Sequence, residues 1–151
     1  MNIGTSICVN CLKDDFWCRC EREIFKVSKI TIPAYMKVGK KNHLNLNTYR
    51  NLHYQALNNG KKKFKNLIKN DVLEMPVFTQ PIKVNYLYFL RDKRLVDVGN
   101  INSVVEKYFL DALVELGRLD DDNYNFVIGG SYLFGGIDKD NPRCEVTIEE
   151  V

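Results

Sequence analysis

A single long block, residues 100–117, repeats apolar side chains at helical spacing and ends at a glycine. The repeating residues are Ile101, Val104, Val105, Tyr108, Ala112, Leu113 and Leu116. Steps of three and four residues place them on one face of an amphipathic helix. Gly117 is suited to end that helix, because glycine adopts the left-handed conformation without strain. The block therefore predicts a helix from Asn100 to Gly117.

Four stretches have the β-branched or alternating pattern of strands. They are residues 24–32, 82–90, 123–134 with a bulge at Gly129-Gly130, and 143–151. The far end of 82–90 is apolar on both faces, which predicts a central strand. In 143–151, alternation points Cys144, Val146 and Ile148 inward and makes Cys144 a core residue. We predict an α+β fold in one domain, with a mixed β-sheet flanked by helices and a C-terminal hairpin.

The remaining segments are assigned by their breaking and capping residues. Residues 34–46 predict a loop, and residues 91–94 predict a polar turn. Asn47 has the chemistry of a helix N-cap. The Asn-Asn-Gly sequence at 58–60 predicts a break, followed by a second helical stretch over 61–70.

The chain of 151 residues, with 45% hydrophobic residues, has enough apolar material for one packed domain. No apolar run reaches the roughly 18 residues that a membrane helix needs. The N-terminus lacks the basic start and apolar core of a secretory signal. We therefore expect a cytoplasmic protein, with a cysteine-rich extension at 1–23 and a folded domain at 24–151.

Four of the five cysteines lie within the extension, at Cys8, Cys11, Cys18 and Cys20. Where thiols stay reduced, such crowding predicts metal ligation before disulfides. Four thiolates within thirteen residues could close a tetrahedral zinc site. The alternative is a reduced tail that binds nothing.

The net charge of +3 conceals two opposed halves. Residues 1–70 hold 14 Lys and Arg against 4 Asp and Glu, a net +10, whereas residues 71–151 hold 8 against 15, a net −7. A basic half suggests a polyanionic partner such as DNA. The candidate DNA-binding residues are Lys61, Lys62, Lys63, Lys65, Lys69, Arg91, Lys93 and Arg94. The alternative is that these cations only solvate a helix face and a turn.

Carboxylates surround the predicted helix over 100–117. At about 100° per residue, Asn100, Ser103, Lys107 and Asp111 share one polar stripe, opposite the apolar face. Asp97 precedes the helix, and Asp120-Asp121-Asp122 follow its glycine. Converging carboxylates could hold Mg²⁺ for phosphodiester hydrolysis, with a lysine stabilising the charge on the phosphate. The alternative is ordinary helix capping, an i,i+4 ion pair and a solvated turn.

This block resembles the RusA family of Holliday-junction resolvases, which are phage and prophage endonucleases of DNA recombination and repair. The family pattern is D-x-D-N, then K-x-x-x-D-A-L on a helix, then a glycine followed shortly by D-D. This chain has Asp97-Val98-Gly99-Asn100, then Lys107 to Leu113 as KYFLDAL, then Gly117 and Asp121-Asp122. The resemblance covers about residues 24–151.

The resemblance implies a Mg²⁺-dependent endodeoxyribonuclease that resolves four-way DNA junctions as a homodimer. Asp97 and Asp122 match its metal-binding aspartates, and Lys107 matches its functional lysine. Asp121 and Asp111 match further motif positions, and we include both among the candidate metal ligands.

Two departures separate this chain from the family pattern. Gly99 stands where the second aspartate is expected, and Asp111 or Asp92 are the candidates to replace it. About four extra residues, close to one helical turn, separate the asparagine from the lysine. Two other functions remain open: a zinc-bearing DNA-binding protein without catalysis, and a structural phage protein that binds a protein partner.

Overall fold

The computed structural model describes residues 27–38, 42–43 and 45–151, which excludes the cysteine-rich extension and its proposed zinc site. In chain order the elements are β1 (Val27–Ile32), β2 (Lys37–Val38), β3 (Asn42–His43), α1 (Leu46–Asn51), α2 (Tyr54–Glu74), β4 (Ile82–Leu90), α3 (Val98–Glu115), β5 (Val127–Ile137) and β6 (Arg143–Glu150). Of the helices described, none has the length and apolar character needed to cross a membrane.

The main sheet has four strands in the order β1-β6-β4-β5. β6 pairs antiparallel with both β1 and β4, whereas β5 pairs parallel with β4. The predicted α+β class, the mixed sheet and the central position of β4 are therefore confirmed. The predicted C-terminal hairpin is wrong, because β4 lies between β5 and β6.

The core lies between one face of the sheet and the helices. Inward residues of β4 and β6 sit side by side in register, as Tyr86 opposite Val146 and Tyr88 opposite Cys144 show. All four are at most 2% exposed. Cys144 is a core residue, as predicted, and burial raises the pKa of its thiol to about 12.

The predicted long helix is α3, and it begins two residues earlier than expected because Asp97 is the N-cap. Of the apolar residues predicted to face inward, six are buried and Leu116 is half-buried. Gly117 ends the helix with a φ of 70°. The N–H of Gly117 donates to the carbonyl of Val114, and that of Arg118 to Leu113, as in a Schellman motif.

The predicted helix break at residues 58–60 is wrong, because α2 runs unbroken through them. Gly60, Phe64, Ile68 and Val72 recur every four residues, and all are buried. This stripe packs toward α3, where the hydroxyl of Tyr108 donates to the carbonyl of Leu57 at 3.0 Å. Burial of a continuous apolar face outweighs the weak helix propensity of the Asn-Asn-Gly sequence.

The other boundaries shift by a few residues. The first N-cap is Asn45 instead of Asn47, with its side chain accepting from Thr48 N. Residues 34–46, predicted as a loop, contain the short antiparallel pair of β2 and β3. β5 begins at Val127, because residues 123–126 form a turn closed on the carbonyl of Asn123. The register of β5 skips Ile128, so the predicted bulge lies beside Gly129.

α3 is the crossover between the parallel strands β4 and β5. It starts near the carboxyl end of β4 and finishes near the amino end of β5. Residues just before α3 and residues just after it therefore lie at opposite ends of the sheet.

Candidate functional site

Asp97 holds an exposed carboxylate at the start of α3. Its Oδ1 accepts a hydrogen bond from Gly99 N at 2.9 Å. A Cβ atom on Gly99 would lie 3.1 Å from that oxygen and 3.2 Å from the hydroxyl of Tyr132. An aspartate at position 99 would therefore require Asp97 or Tyr132 to shift by a few tenths of an ångström. Among the described residues, Asp97 makes no ion pair, so its carboxylate is free to bind a cation.

The turn at residues 91–94 lies directly before Asp97 and carries three cations around one carboxylate. Asp92 pairs with Arg94 at 3.2 Å and with Arg91 at 3.4 Å. The backbone N–H of Arg94 and the two guanidinium charges lower the pKa of Asp92. The Arg91 guanidinium also lies over the Tyr35 ring, 5.1 Å from its centroid. Asp92 is thus engaged within the turn, which keeps a net positive charge.

Asp111 is engaged in a cluster of ion pairs between α2 and α3. Lys61 lies 3.0 Å from Asp111 and 2.8 Å from Glu115. Lys65 lies 2.6 Å from Glu115, and Lys107 lies 3.9 Å from Asp111. Hydrogen bonds from Lys61 and Lys65 lower the pKa of Glu115. The carboxylate of Asp111 is therefore already neutralised by cations of its own chain.

The polar stripe predicted on α3 is present, but it does not reach a common site with Asp97. Lys107 and Asp111 approach each other on one face, as expected for an i,i+4 pair. Lys107 follows Asp97 by ten positions along the chain, which is about 15 Å of helix. Lys107 therefore lies beside Asp111, away from the Asp97 carboxylate.

The acidic turn, residues 120–122, follows the C-terminus of α3. Asp121 accepts hydrogen bonds from the backbone N–H of Asp122 at 2.7 Å and from the Asn123 amide at 2.6 Å. Leu119, 2% exposed, anchors the turn in the core. Asp120 and Asp122 are exposed and make no ion pair with any described residue. Asp122 is therefore a second free carboxylate.

Asp97 and Asp122 lie at opposite ends of α3, whose 18 residues span about 27 Å. One chain therefore does not bring together the two aspartates that the sequence places in one site. Within residues 27–38, 42–43 and 45–151, no three His, Cys, Asp or Glu residues are grouped as metal ligands would be.

The candidate DNA-binding lysines of α2 divide into two sets. Lys61 and Lys65 are half-buried and hold the acidic residues of α3. Lys62, Lys63 and Lys69 are exposed, and the described part of the chain gives them no ion-pair partner. Only the second set presents uncompensated positive charge to a polyanion.

Sequence reasoning missed a polar chain that lies under β5. The hydroxyl of Tyr88 donates to Asn102 Oδ1 at 2.8 Å, and Asn102 Nδ2 donates to Glu106 Oε2 at 3.2 Å. Burial raises the pKa of Glu106, and the hydrogen bond from Asn102 opposes that shift. A cavity of about 360 Å³ opens beside Glu106 and the buried Tyr86. The available signal was two polar residues four positions apart beside the apolar face of a predicted helix.

Comparison of the sequence with models of protein families and with curated proteins finds no match.

Proposed function

We propose that this protein is a Mg²⁺-dependent endonuclease that cuts four-way DNA junctions, as its resemblance to the RusA family implies. The observation that supports the proposal most is a contrast between carboxylates that make no ion pair and carboxylates that do. Asp97 and Asp122 match the family's metal-binding aspartates, and both carboxylates are exposed and without ion pairs among the described residues. Asp92 and Asp111, the candidates to replace the aspartate missing at Gly99, are paired with cations.

Mg²⁺ prefers carboxylate oxygens and would supply an activated water and charge neutralisation at the phosphate. The described residues of one chain do not fit such a site, because Asp97 and Asp122 lie at opposite ends of α3, a helix about 27 Å long. The two aspartates of a single copy therefore cannot share one metal ion. An enzyme of this type would have to combine carboxylates from more than one copy of the described domain.

Binding of the DNA backbone is assigned to the uncompensated cations. Lys93 extends from the turn before Asp97, and Lys62, Lys63 and Lys69 extend from α2. Arg94 belongs to the same turn and pairs with Asp92, the one carboxylate among its three cations. Lysine and arginine neutralise phosphates and release counterions, which provides affinity without sequence preference. The proximity of Lys93 and Arg94 to Asp97 supports a role for this end of the molecule in holding the DNA strand to be cut.

The proposal is tested with a synthetic four-way junction, with Mg²⁺ or with EDTA. We expect cutting by the wild type with Mg²⁺ only, and a loss of about 100-fold or more for Asp97→Asn and for Asp122→Asn. Asp71→Asn removes an exposed carboxylate on α2 and should cut as the wild type does. Cutting that survives both aspartate substitutions, or that needs no metal, would contradict the proposal.

Gly99 favours a second candidate, a DNA-binding protein that does not cut. Loss of one family carboxylate would leave junction recognition by the cations intact. In the same assay, this candidate gives a retarded junction without cleavage in Mg²⁺. Absence of any binding would exclude both DNA functions and leave the structural, partner-binding role. A zinc measurement on the wild type and on Cys8→Ser tests the separate prediction for the extension.

A further inference from the structure

A cavity of about 360 Å³ lies between α3 and β5, on the face of the sheet that the helices cover. Tyr86, Asn102 and Glu106 line its inner side, and residues 127–132 of β5 line its outer side. Gly129 and Gly130 contribute no side chains to that lining. Residues 128–132 are exposed, so the cavity is open to solvent beside β5. Its volume is in the range of small-molecule binding sites.

The carboxylate of Glu106 reaches this cavity without a counter-ion among the described residues. Asn102 Nδ2 donates to Oε2 of Glu106 at 3.2 Å, and the Tyr88 hydroxyl holds that amide by donating to its Oδ1 at 2.8 Å. Burial raises the pKa of Glu106, and a bound cation would oppose that shift because it favours the ionised carboxylate. Oε1 accepts no hydrogen bond within the described chain and is therefore open to a positively charged donor.

Tyr86 adds a second unsatisfied polar group to the same cavity. The residue is 2% exposed, and its hydroxyl has no hydrogen-bond partner in the described part of the chain. A buried hydroxyl without a partner is rare and costs free energy. An ammonium group has three donors, so it can serve a hydroxyl oxygen as well as a carboxylate oxygen. Two unsatisfied groups on one cavity favour a ligand that satisfies both.

The lining of the cavity favours an organic cation over a metal ion. Mg²⁺ takes several oxygen ligands, whereas Glu106 is the only carboxylate among the described residues that line the cavity. The ring of Tyr132, 51% exposed, lines it as well, and an aromatic face attracts a cation. Val127 and Ile128 offer apolar surface to an alkyl chain. A guanidinium group binds best to both oxygens of a carboxylate, and Asn102 already occupies one of them.

We propose that this cavity binds the primary ammonium group of a small alkylamine, with Glu106 as its counter-ion and the Tyr86 hydroxyl as a second acceptor. The alkyl chain lies against Val127 and Ile128. The site includes neither the candidate catalytic aspartates nor the DNA-binding lysines, so it is independent of the proposed nuclease. A polar group that costs stability is typical of a functional site, where binding compensates for the cost.

The site is tested by NMR titration of the full chain with n-butylammonium chloride at pH 7. The buffer is phosphate, which contains no amine, and NaCl keeps the ionic strength constant. We expect saturable shifts of the backbone N–H signals of Gly129 and Gly130 and of the side-chain amide of Asn102. The dissociation constant should be about 10 mM or below.

Substitutions then separate charge from position. Glu106→Gln keeps the acceptor for Asn102 and removes the charge, so the dissociation constant should rise by about tenfold or more. Tyr86→Phe removes only the hydroxyl and should raise it by about threefold. Glu74→Gln removes an exposed carboxylate at the end of α2 and should leave it unchanged.

The absence of saturable shifts in the wild type, or equal affinities of the wild type and Glu106→Gln, would overturn the site. An unchanged affinity of Tyr86→Phe would contradict the second acceptor. Tetramethylammonium carries the charge without N–H donors and should bind about tenfold more weakly or worse. Equal binding of the two cations would overturn the assignment to a primary ammonium group. The same shifts produced by MgCl₂ at lower concentrations would identify a metal site and would also overturn the proposal.

Discussion

The polar chain from Tyr88 through Asn102 to Glu106 is the main departure from apolar packing around α3. Asn102 is 4% exposed, and both of its polar ends are satisfied by hydrogen bonds. Glu106, unlike Asn102, costs folding free energy, because its charged form is partly removed from water. The residue lies beside β5 without making any contact with the proposed catalytic aspartates, so its cost is one of stability.

Replacing Glu106 by Gln should stabilise the protein at neutral pH. Burial raises the pKa of the folded-state carboxyl above its unfolded value, so the ionised form is the one that costs free energy. That cost is absent at low pH, where the carboxyl is protonated in both states, and appears as pH rises through the folded pKa. Gln keeps the acceptor for Asn102. We expect a Tm gain of about 2–4 °C at pH 7, which is about 1 kcal/mol, and almost none at pH 4.

Thermal melts of Glu106→Gln and of Glu74→Gln at both pH values provide the measurement. Glu74 is exposed at the end of α2, so its substitution should produce no gain that grows with pH. A lower Tm for Glu106→Gln at pH 7 would show that the carboxylate stabilises the fold and would contradict the prediction.

At the scale of elements, local sequence patterns predict the type of an element better than they predict its pairing partner. Alternation in β6 and the apolar stripe of α3 follow from residues a few positions apart, and both are confirmed. The hairpin was wrong because pairing depends on β4, which accepts β5 on one edge and β6 on the other. The predicted helix break at Gly60 is wrong because α2 is stabilised there by packing toward α3. That helix is distant in sequence, so a local pattern does not reveal the contact.

The pairing of β5 with β4 depends on Gly130, and this predicts unequal effects of alanine at two adjacent glycines. Gly129 and Gly130 have φ values of 158° and 159°, where a Cβ atom is strained. A Cβ on Gly130 would also lie 1.9 Å from the carbonyl oxygen of Val84, whereas one on Gly129 meets nothing within 4 Å. We expect Gly130→Ala to cost about 3 kcal/mol or more, and Gly129→Ala about 1–2 kcal/mol.

Urea unfolding of the two variants measures the difference, with Gly129→Ala as the matched control for backbone strain. Equal losses would mean that β5 moves away from Val84 at no cost. That result would contradict the close approach of the two strands.

At the scale of the whole molecule, the two charged halves of the sequence are partly joined in the fold. Lys61 and Lys65 from the basic half neutralise Asp111 and Glu115 from the acidic half. The motif residues of the candidate site could be found from sequence spacing. Their separation could not, because it follows from the crossover of α3 between parallel strands. Within the described part of the chain, the charges left without an ion pair include Asp97, Asp122, Lys93 and the exposed lysines of α2.

The exposed lysines of α2 should therefore contribute to DNA affinity more than lysines on the sheet. We expect Lys62→Ala/Lys63→Ala to weaken junction binding by about tenfold and to reduce the slope of log K against log salt by about 2, if both contact phosphates. Lys29→Ala/Lys83→Ala removes the same charge from exposed positions on β1 and β4 and should change the slope little. Titration of a labelled junction at several salt concentrations, in EDTA to prevent cutting, measures both. Equal losses from the two pairs would show that net charge alone determines binding, and would remove α2 from the DNA-binding surface.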